Sequence, residues 1–421
     1  MPQSQTPKKH NWFWPALAVF ALASFIRYSR DFMSTYTTTY YALNYNYGFI
    51  PHGFLGTLYQ RISEHLPWEM QNHMAVFNFN GVVTIFYFLV LFLFLGICMH
   101  RCPEDYKRNL KHVILFLSIF AFPVFMGSKN FGSVYLYLSI LTLLSIIVLF
   151  SNILEWLVIP FGIVAMCIHE DFLFLHASLI IVILLWKIFI EKNMGKKIYH
   201  LMVMILFSIS IIGLWVYFTY YSQYIGDPLV IAEELKPAAK ALSQDGLTYN
   251  SILIKHELLG MDLAPIVAEF YQDNAIDFPV FCLLFAPYIY FGIRFFIKLI
   301  KDESSTFGKR VLYLAMFLGG TSMIPLFINK IDYGVYIYTL FFYYIVIVIL
   351  GITIQDEKIH HNFDSLKMEL KEITSLNYIW LLYPFLLTPF KGVTISTQVH
   401  NLAEILFTEL GFFLPTQLPL P

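Results

Sequence analysis

The chain has 421 residues, 58% of them apolar, 18% aromatic and only 13% charged, with a mean hydropathy of +0.64; this is not the composition of two or three soluble domains. A formal net charge of -1, with no Lys/Arg-rich block, excludes a nucleic-acid partner. Cys98, Cys102, Cys167 and Cys282 all fall inside or at the ends of apolar runs, where cysteine behaves as a small hydrophobe rather than as part of a disulfide framework.

In chain order the apolar runs are 12–28, 75–98, 112–127, 133–151, 155–169, 172–190, 200–219, 278–300, 311–328, 333–354 and 377–395. Most are long enough for a hydrocarbon core about 30 Å thick. Backbone groups in lipid must be satisfied within each segment, and the alternating ten-residue pattern of outer-membrane barrels is absent, so the runs predict helices. The predicted fold is all-α: one polytopic transmembrane bundle over residues 1–421, with about eleven spans. Lys8 and Lys9 precede the first run, and no small-residue cleavage site follows it, so that run reads as an uncleaved first span.

Basic residues set the expected orientation. With the amino terminus cytoplasmic, the inner loops collect Arg101, Lys107, Arg108, Lys111, Lys187, Lys192, Lys196, Lys197, Lys298, Lys301, Lys309 and Arg310. The short outer turns then hold little more than Lys129 and Lys330. Two extracytoplasmic loops remain, 28–74 and 219–277. In the first, Phe54, Leu55, Leu58 and Ile62 have helical spacing and predict an interfacial helix. The second holds helix-like pieces near 229–243, 249–259 and 263–274, separated by Gly246 and Gly260.

Ionisable groups at the ends of spans carry the functional signal, because lipid makes them expensive. On this topology three clusters share the outer side: Arg27, Arg30 and Asp31; His169, Glu170, Asp171 and His176; and Lys330 with Asp332. Asp31 reads as a general base, as the holder of a metal bound to phosphate, or as an interfacial charge paired with Arg27 or Arg30. In IHEDFLFLH, His169 and His176 would share a face if the helix continued, and His169 with Glu170 either position a sugar hydroxyl or a diphosphate or close a hydrogen-bonded turn. The zinc-protease pattern does not apply, since Leu173 stands where it needs its second histidine. Cys98, His100 and Cys102 lack a second ligand pair at zinc spacing, so no metal-ligand set is assigned. Lys330 reads as a point-charge phosphate binder oriented by Asp332, or as a helix-end anchor. Gly53 and Gly56 allow close backbone approach, and His52 between Pro51 and Gly53 reads either as facing the site or as part of an interfacial turn.

Three stretches carry a resemblance: YGFIPHGFLG at 47–56, HEDF at 169–172 and DYG at 332–334. In order and spacing they resemble polytopic proteins encoded among bacterial surface-polysaccharide genes. Pro51 and His52 stand where those proteins usually carry a basic pair, and Val335 where an arginine often follows. The broader architecture resembles the GT-C superfamily of membrane glycosyltransferases, which in its wider sense includes O-antigen polymerases and ligases. That resemblance implies a polyprenyl-phosphate- or diphosphate-linked glycan as substrate, at the bacterial inner membrane. It further implies catalytic roles for Asp31, Glu170 and His169, and substrate contacts for Arg27, Arg30, His52, Asp171, His176, Lys330 and Asp332. The cofactor stays open, a divalent metal included. Two other readings of the same groups are a transporter or flippase for a lipid-linked solute, and a non-catalytic scaffold among polysaccharide assembly partners.

Overall fold

The computed structural model of the protein describes residues 13–28, 35–63, 65, 73–121, 132–227, 229–231, 233–235, 265, 268, 277–329 and 333–373. Every regular element among the described residues is helical. The helices are α1 (Phe13–Tyr28), α2 (Thr35–Ala42), α3 (Phe54–Ser63), α4 (His73–Arg101), α5 (Glu104–Ala121), α6 (Val134–Ser151) and α7 (Val158–Ile168). They continue as α8 (Ser178–Ile190), α9 (Met194–Tyr220), α10 (Asp277–Lys301), α11 (Phe307–Gly319), α12 (Ile324–Asn329), α13 (Tyr333–Thr353) and α14 (Glu357–Ile373). Short 3₁₀ turns lie at Tyr45–Tyr47, Glu155–Leu157 and Gly320–Met323, and a π turn at Leu173–Ala177 leads into α8.

As far as they are described, the first ten apolar runs coincide with helices, the run at 112–127 only up to Ala121, and the run at 377–395 lies outside the described residues. Among the described residues six helices are long and apolar enough to cross a membrane: Val76–Arg101, Val134–Ser151, Leu173–Ile190, Met194–Tyr220, Phe307–Ile328 and Val335–Thr353. Their ends follow local chemistry. Pro103 cannot continue α4, and the side chains of Ser133, Asn193 and Thr306 accept hydrogen bonds from the first amides of α6, α9 and α11.

Packing sorts the helices into inner and outer members. α13 packs on α5, α6 lies between α4 and α7, α8 and α7 both pack on α9, and α11 joins α8 to α10. The apolar windows of α6 and α13 are 67% and 72% buried, against 22% for α9. α9 turns Met202, Ile205, Ile209 and Ile212 outward, the pattern of a helix whose other face meets hydrocarbon. Tyr87, Phe94, Phe207, Tyr336 and Tyr343 fill the interior.

Two irregular turns meet inside the bundle. A π turn frees a backbone carbonyl from its α-helical partner, and a freed carbonyl in an apolar interior needs a donor. Ser322, in the 3₁₀ turn between α11 and α12, supplies one, with its Oγ 2.7 Å from Phe174 O and 3.0 Å from Ser178 Oγ. Carbonyls released where α11 tightens are met in the same way: Tyr343 donates to Met316 O at 3.0 Å and Tyr344 to Phe317 O at 2.7 Å.

The bundle has one end where α6 begins and α7 finishes, and an opposite end closed by two polar networks. In the first, Lys187 Nζ donates to Glu155 Oε1 at 2.6 Å, Asn152 Oδ1 at 2.6 Å and Leu149 O at 2.5 Å, while His200 Nε2 lies 2.9 Å from Glu155 Oε2. Glu155 and His200 are buried, so each charge there depends on the others. The second fastens the amphipathic α14. Glu369 accepts from Lys298 at 2.5 Å and forms an ion pair with Arg294 at 3.2 Å, Asp364 accepts from Asn109 at 2.8 Å, Lys358 pairs with Asp302 at 2.6 Å, and Tyr106 stacks on His360 at 3.8 Å.

Candidate functional site

The site is built from two stretches far apart in sequence. α2 carries Tyr40 and Tyr41 and ends at Ala42; the chain then turns through Tyr45–Tyr47, capped by the Asn44 side chain, and reaches α3 by way of Gly48, His52, Gly53 and Gly56. Gly48 has φ +116, and a Cβ there would lie 2.7 Å from Gln223 O, because the segment after α9 crosses it and donates Ile225 N–H to Tyr47 O at 2.8 Å. Gly56 is set against the carbonyl of Leu43, so α3 lies directly on the end of α2. His52 is itself left-handed, φ 66, a conformation histidine tolerates better than most residues. α3 also packs on α7, which brings this turn to the α7 carboxyl end.

α7 stops at Ile168, and His169 follows in extended conformation with its N–H on Ala165 O. His169, Glu170 and Asp171 then make a tight turn closed by Phe172 N–H on His169 O (3.2 Å) and Leu173 N–H on Glu170 O (3.1 Å). Breaking the helix there turns His169 and Glu170 toward α2 and the α2–α3 turn, and Asp171 toward Tyr135 at the start of α6.

The two stretches meet at His52 Nε2 and Glu170 Oε2, 2.7 Å apart and 118 residues apart in sequence. The His52 and His169 rings lie 4.4 Å apart, centroid to centroid. His169 Nδ1 is 3.6 Å from Glu170 Oε2 and 3.7 Å from Asp171 Oδ2, and it accepts the Asp171 backbone N–H at 3.1 Å. Its other nitrogen, Nε2, is 3.4 Å from the Tyr40 hydroxyl. An Nδ1 that accepts is unprotonated, which puts the ring proton on Nε2, toward Tyr40. Tyr135 donates to Asp171 Oδ2 at 3.1 Å, and Tyr40 stands edge-on to the His52 ring. His52, His169 and Asp171 are buried, whereas the Glu170 side chain is 25% exposed. Glu170 is thus the group of this cluster that meets incoming molecules.

Beneath the cluster, Tyr41 donates to Asn80 Oδ1 at 2.7 Å, Tyr137 does so at 3.0 Å, and Asn80 Nδ2 donates to Val76 O at 2.9 Å. This network joins α2 to α4 and α6. Burial raises the Tyr41 and Tyr45 phenols well above their ordinary value, so both remain protonated.

Of the residues expected from sequence, the structure brings together His52, His169, Glu170 and Asp171. His176 does not join them: the π turn intervenes, and both its ring nitrogens are buried without a hydrogen-bond partner among the described residues. Arg27 lies in the last turn of α1; Arg30, Asp31, Lys330 and Asp332 lie outside the described residues, as do almost all of 236–276 and the helix-like pieces expected there. Sequence reasoning missed Tyr40 and Tyr135, which read as membrane-belt aromatics, and the Lys187–Glu155–His200 network, whose members read as ordinary loop and helix-end charges. Their common signal is a polar or ionisable group at the edge of a strongly apolar run.

The fold and the site define the class: an all-helical protein of multi-pass membrane character, with a buried histidine–carboxylate centre at one end of its helix bundle. No protein-family profile, curated protein or solved structure matches the chain.

Proposed function

We propose that the protein is a bacterial inner-membrane glycosyltransferase or polysaccharide polymerase that uses a polyprenyl-linked sugar donor at the extracytoplasmic face. The observation that carries this reading is the 2.7 Å contact between His52 and Glu170, which joins the two stretches, YGFIPHGFLG and HEDF, on which the resemblance rests. With the amino terminus cytoplasmic, about eleven spans put this centre outside, in agreement with the basic residues at the opposite end. The GT-C-like architecture, with interfacial helices in 28–74 and 219–277, belongs to the same proposal.

Glu170 is the base in this reading. Its carboxylate takes the proton of the acceptor hydroxyl, the new bond forms from that oxygen to the anomeric carbon, and the bond from that carbon to the donor phosphate oxygen breaks. His52 holds the Glu170 carboxylate in place, and Tyr40 and Tyr135 fix His169 and Asp171 behind it. Lys330 with Arg30 stabilises the departing phosphate, where positive charge lowers the barrier, and Asp31 is the alternative base.

The test is transfer by the purified full-length protein from a lipid-linked oligosaccharide to a second glycan, read by product mass. Glu170→Gln is expected to lower the rate about 10²–10⁴-fold. Full activity in an Asp31→Ala, Glu170→Ala double variant sinks the assignment. One observation favours a second reading, transport of a lipid-linked solute: the 3₁₀ turn at Gly320–Met323 interrupts the candidate span Phe307–Ile328 beside the π turn that opens Leu173–Ile190, as broken helices do in transporters. Movement of the lipid across a vesicle with no change in its mass would decide for it.

A further inference from the structure

We propose that the protein binds a divalent transition-metal ion of the zinc class through His52 Nε2, His169 Nδ1 and Glu170 Oε2. Among the described residues these are the three side chains whose ligand atoms converge, all within 4.8 Å of one another. In a tetrahedral zinc site, bonds of about 2.0–2.1 Å put neighbouring ligand atoms roughly 3.3 Å apart. Two of the three separations bracket that value, at 2.7 Å for His52 to Glu170 and 3.6 Å for His169 to Glu170, and the third, between the two histidines, is within 4.8 Å. The adjustment falls on Glu170, the one partly exposed ligand, while both histidines are held by burial.

Electrostatics points the same way. His169 turns an unprotonated nitrogen toward two carboxylates, Glu170 Oε2 at 3.6 Å and Asp171 Oδ2 at 3.7 Å, so three electron-rich atoms face one another in a buried setting. A bound dication takes the Nδ1 lone pair that now accepts the Asp171 amide. The groups around the ligands match those of metal sites generally: the Tyr40 hydroxyl on His169 Nε2 fixes the ring, and Tyr135 holds Asp171 behind it. Two imidazoles and one carboxylate suit zinc, whereas magnesium and calcium take oxygen ligands. Three protein ligands leave a coordination position for a substrate oxygen on the exposed side of Glu170. Sequence spacing hides the set, because His52 and Glu170 are 118 residues apart.

The site stands on this geometry; any part the ion plays in sugar transfer rests on the reading given above. The experiment strips the detergent-purified full-length protein with chelator, reloads it with zinc and measures bound metal by mass spectrometry, with cobalt as a spectroscopic probe. About one zinc per chain is expected, with the intense visible absorption of four-coordinate cobalt. His52→Ala and His169→Ala each weaken zinc binding at least about 100-fold, and Tyr40→Phe weakens it about 10-fold, as loss of an outer partner does. His361→Ala, at an exposed position, leaves it unchanged. Glu170→Gln, at the exposed edge, supplies a ligand variant that keeps the fold, checked by its melting in zinc-free buffer. Wild-type protein that takes up no zinc, or folded ligand variants that bind it as well as wild type, overturn the site. Zinc binding without sugar transfer upholds the site and sinks the transfer reading; transfer by protein that binds no zinc does the reverse.

Discussion

Replacing Gly56 by alanine tests whether the α2–α3 junction aims the site. A Cβ built at Gly56 lies 2.7 Å from the Leu43 carbonyl carbon, closer still to its oxygen, and 3.2 Å from Tyr41 O. All three are backbone atoms and no rotamer relieves them. The Leu43 oxygen sets the demand: bringing it out to ordinary contact parts α3 from the end of α2 by more than about 1 Å. Overpacking of this kind costs about 1–3 kcal/mol. The displacement falls between Tyr40 and His52, which face the His169–Asp171 turn from opposite sides of that junction, and a misplacement near 1 Å at a reacting centre costs about 100-fold in rate. The expected result is a Gly56→Ala variant destabilised by about 2 kcal/mol and slowed in sugar transfer by one to two orders of magnitude. Thermal unfolding in detergent and the transfer assay measure the two effects. Gly81→Ala in α4 is the control, since a Cβ there meets nothing within 4 Å; alanine in a helix interior gains roughly 0.5–1 kcal/mol over glycine. Wild-type stability and rate in Gly56→Ala, or an equal loss in Gly81→Ala, would refute the reasoning.

Two further perturbations probe the opposite end of the bundle. Lys187→Met strands the buried Glu155 carboxylate beside His200 and is expected to cost about 3–5 kcal/mol, most of it recovered by adding Glu155→Gln; a double-mutant cycle of unfolding free energies that shows no recovery would mean the network is not coupled. The attachment of α14 is expected to weaken in acid. Lys298 holds Glu369, and Lys358 holds Asp302, below the usual carboxylate range, and burial holds His360 below its ordinary value. Groups with lowered folded values contribute stability above their unfolded values and lose it as pH falls. The loosening therefore begins below about pH 6.5 through His360 and continues below about pH 4 through the carboxylates. A spin label on Met368→Cys, an exposed position of α14, reads this as rising mobility between pH 7 and 4; constant mobility over that range would sink the idea.

Hydrophobic run length made most of the helices legible, because a backbone surrounded by apolar side chains has few ways to satisfy its own hydrogen bonds. The runs 133–151 and 333–354 became the two most enclosed candidate spans, α6 and α13. Individual turns were harder to read. IHEDFLFLH has a helical spacing of histidines, yet the chain leaves the helix at His169 and re-enters through a π turn, which has no composition of its own to announce it. Pairings between distant segments were also hidden. Tyr135 has the look of a lipid-facing aromatic until the α7–α8 turn places Asp171 against its hydroxyl, and Glu155 looks like a loop charge until α8 and α9 bring Lys187 and His200 to it. Glycines were the exception: of Gly53 and Gly56, read as allowing close backbone approach, Gly56 has the Leu43 carbonyl against it, while Gly53 meets the Tyr45 ring; the place of Gly48 against Gln223 O was not legible.

The π turn between Asp171 and Ser178 works as an angular adjustment. A π turn takes one residue more than an α turn, so it rotates what precedes it by about 100° relative to the helix that follows. The far half of α8 is not free to rotate in compensation, since Lys187 is bound at one end and Ser178 beside Ser322 at the other. The direction in which His169, Glu170 and Asp171 point is therefore set by the number of residues in this short stretch more than by their identity. Removing one residue there would let the turn relax to a regular helix, leave the packing of α8 on α9 and α11 in place, and swing the histidine–carboxylate turn away from His52.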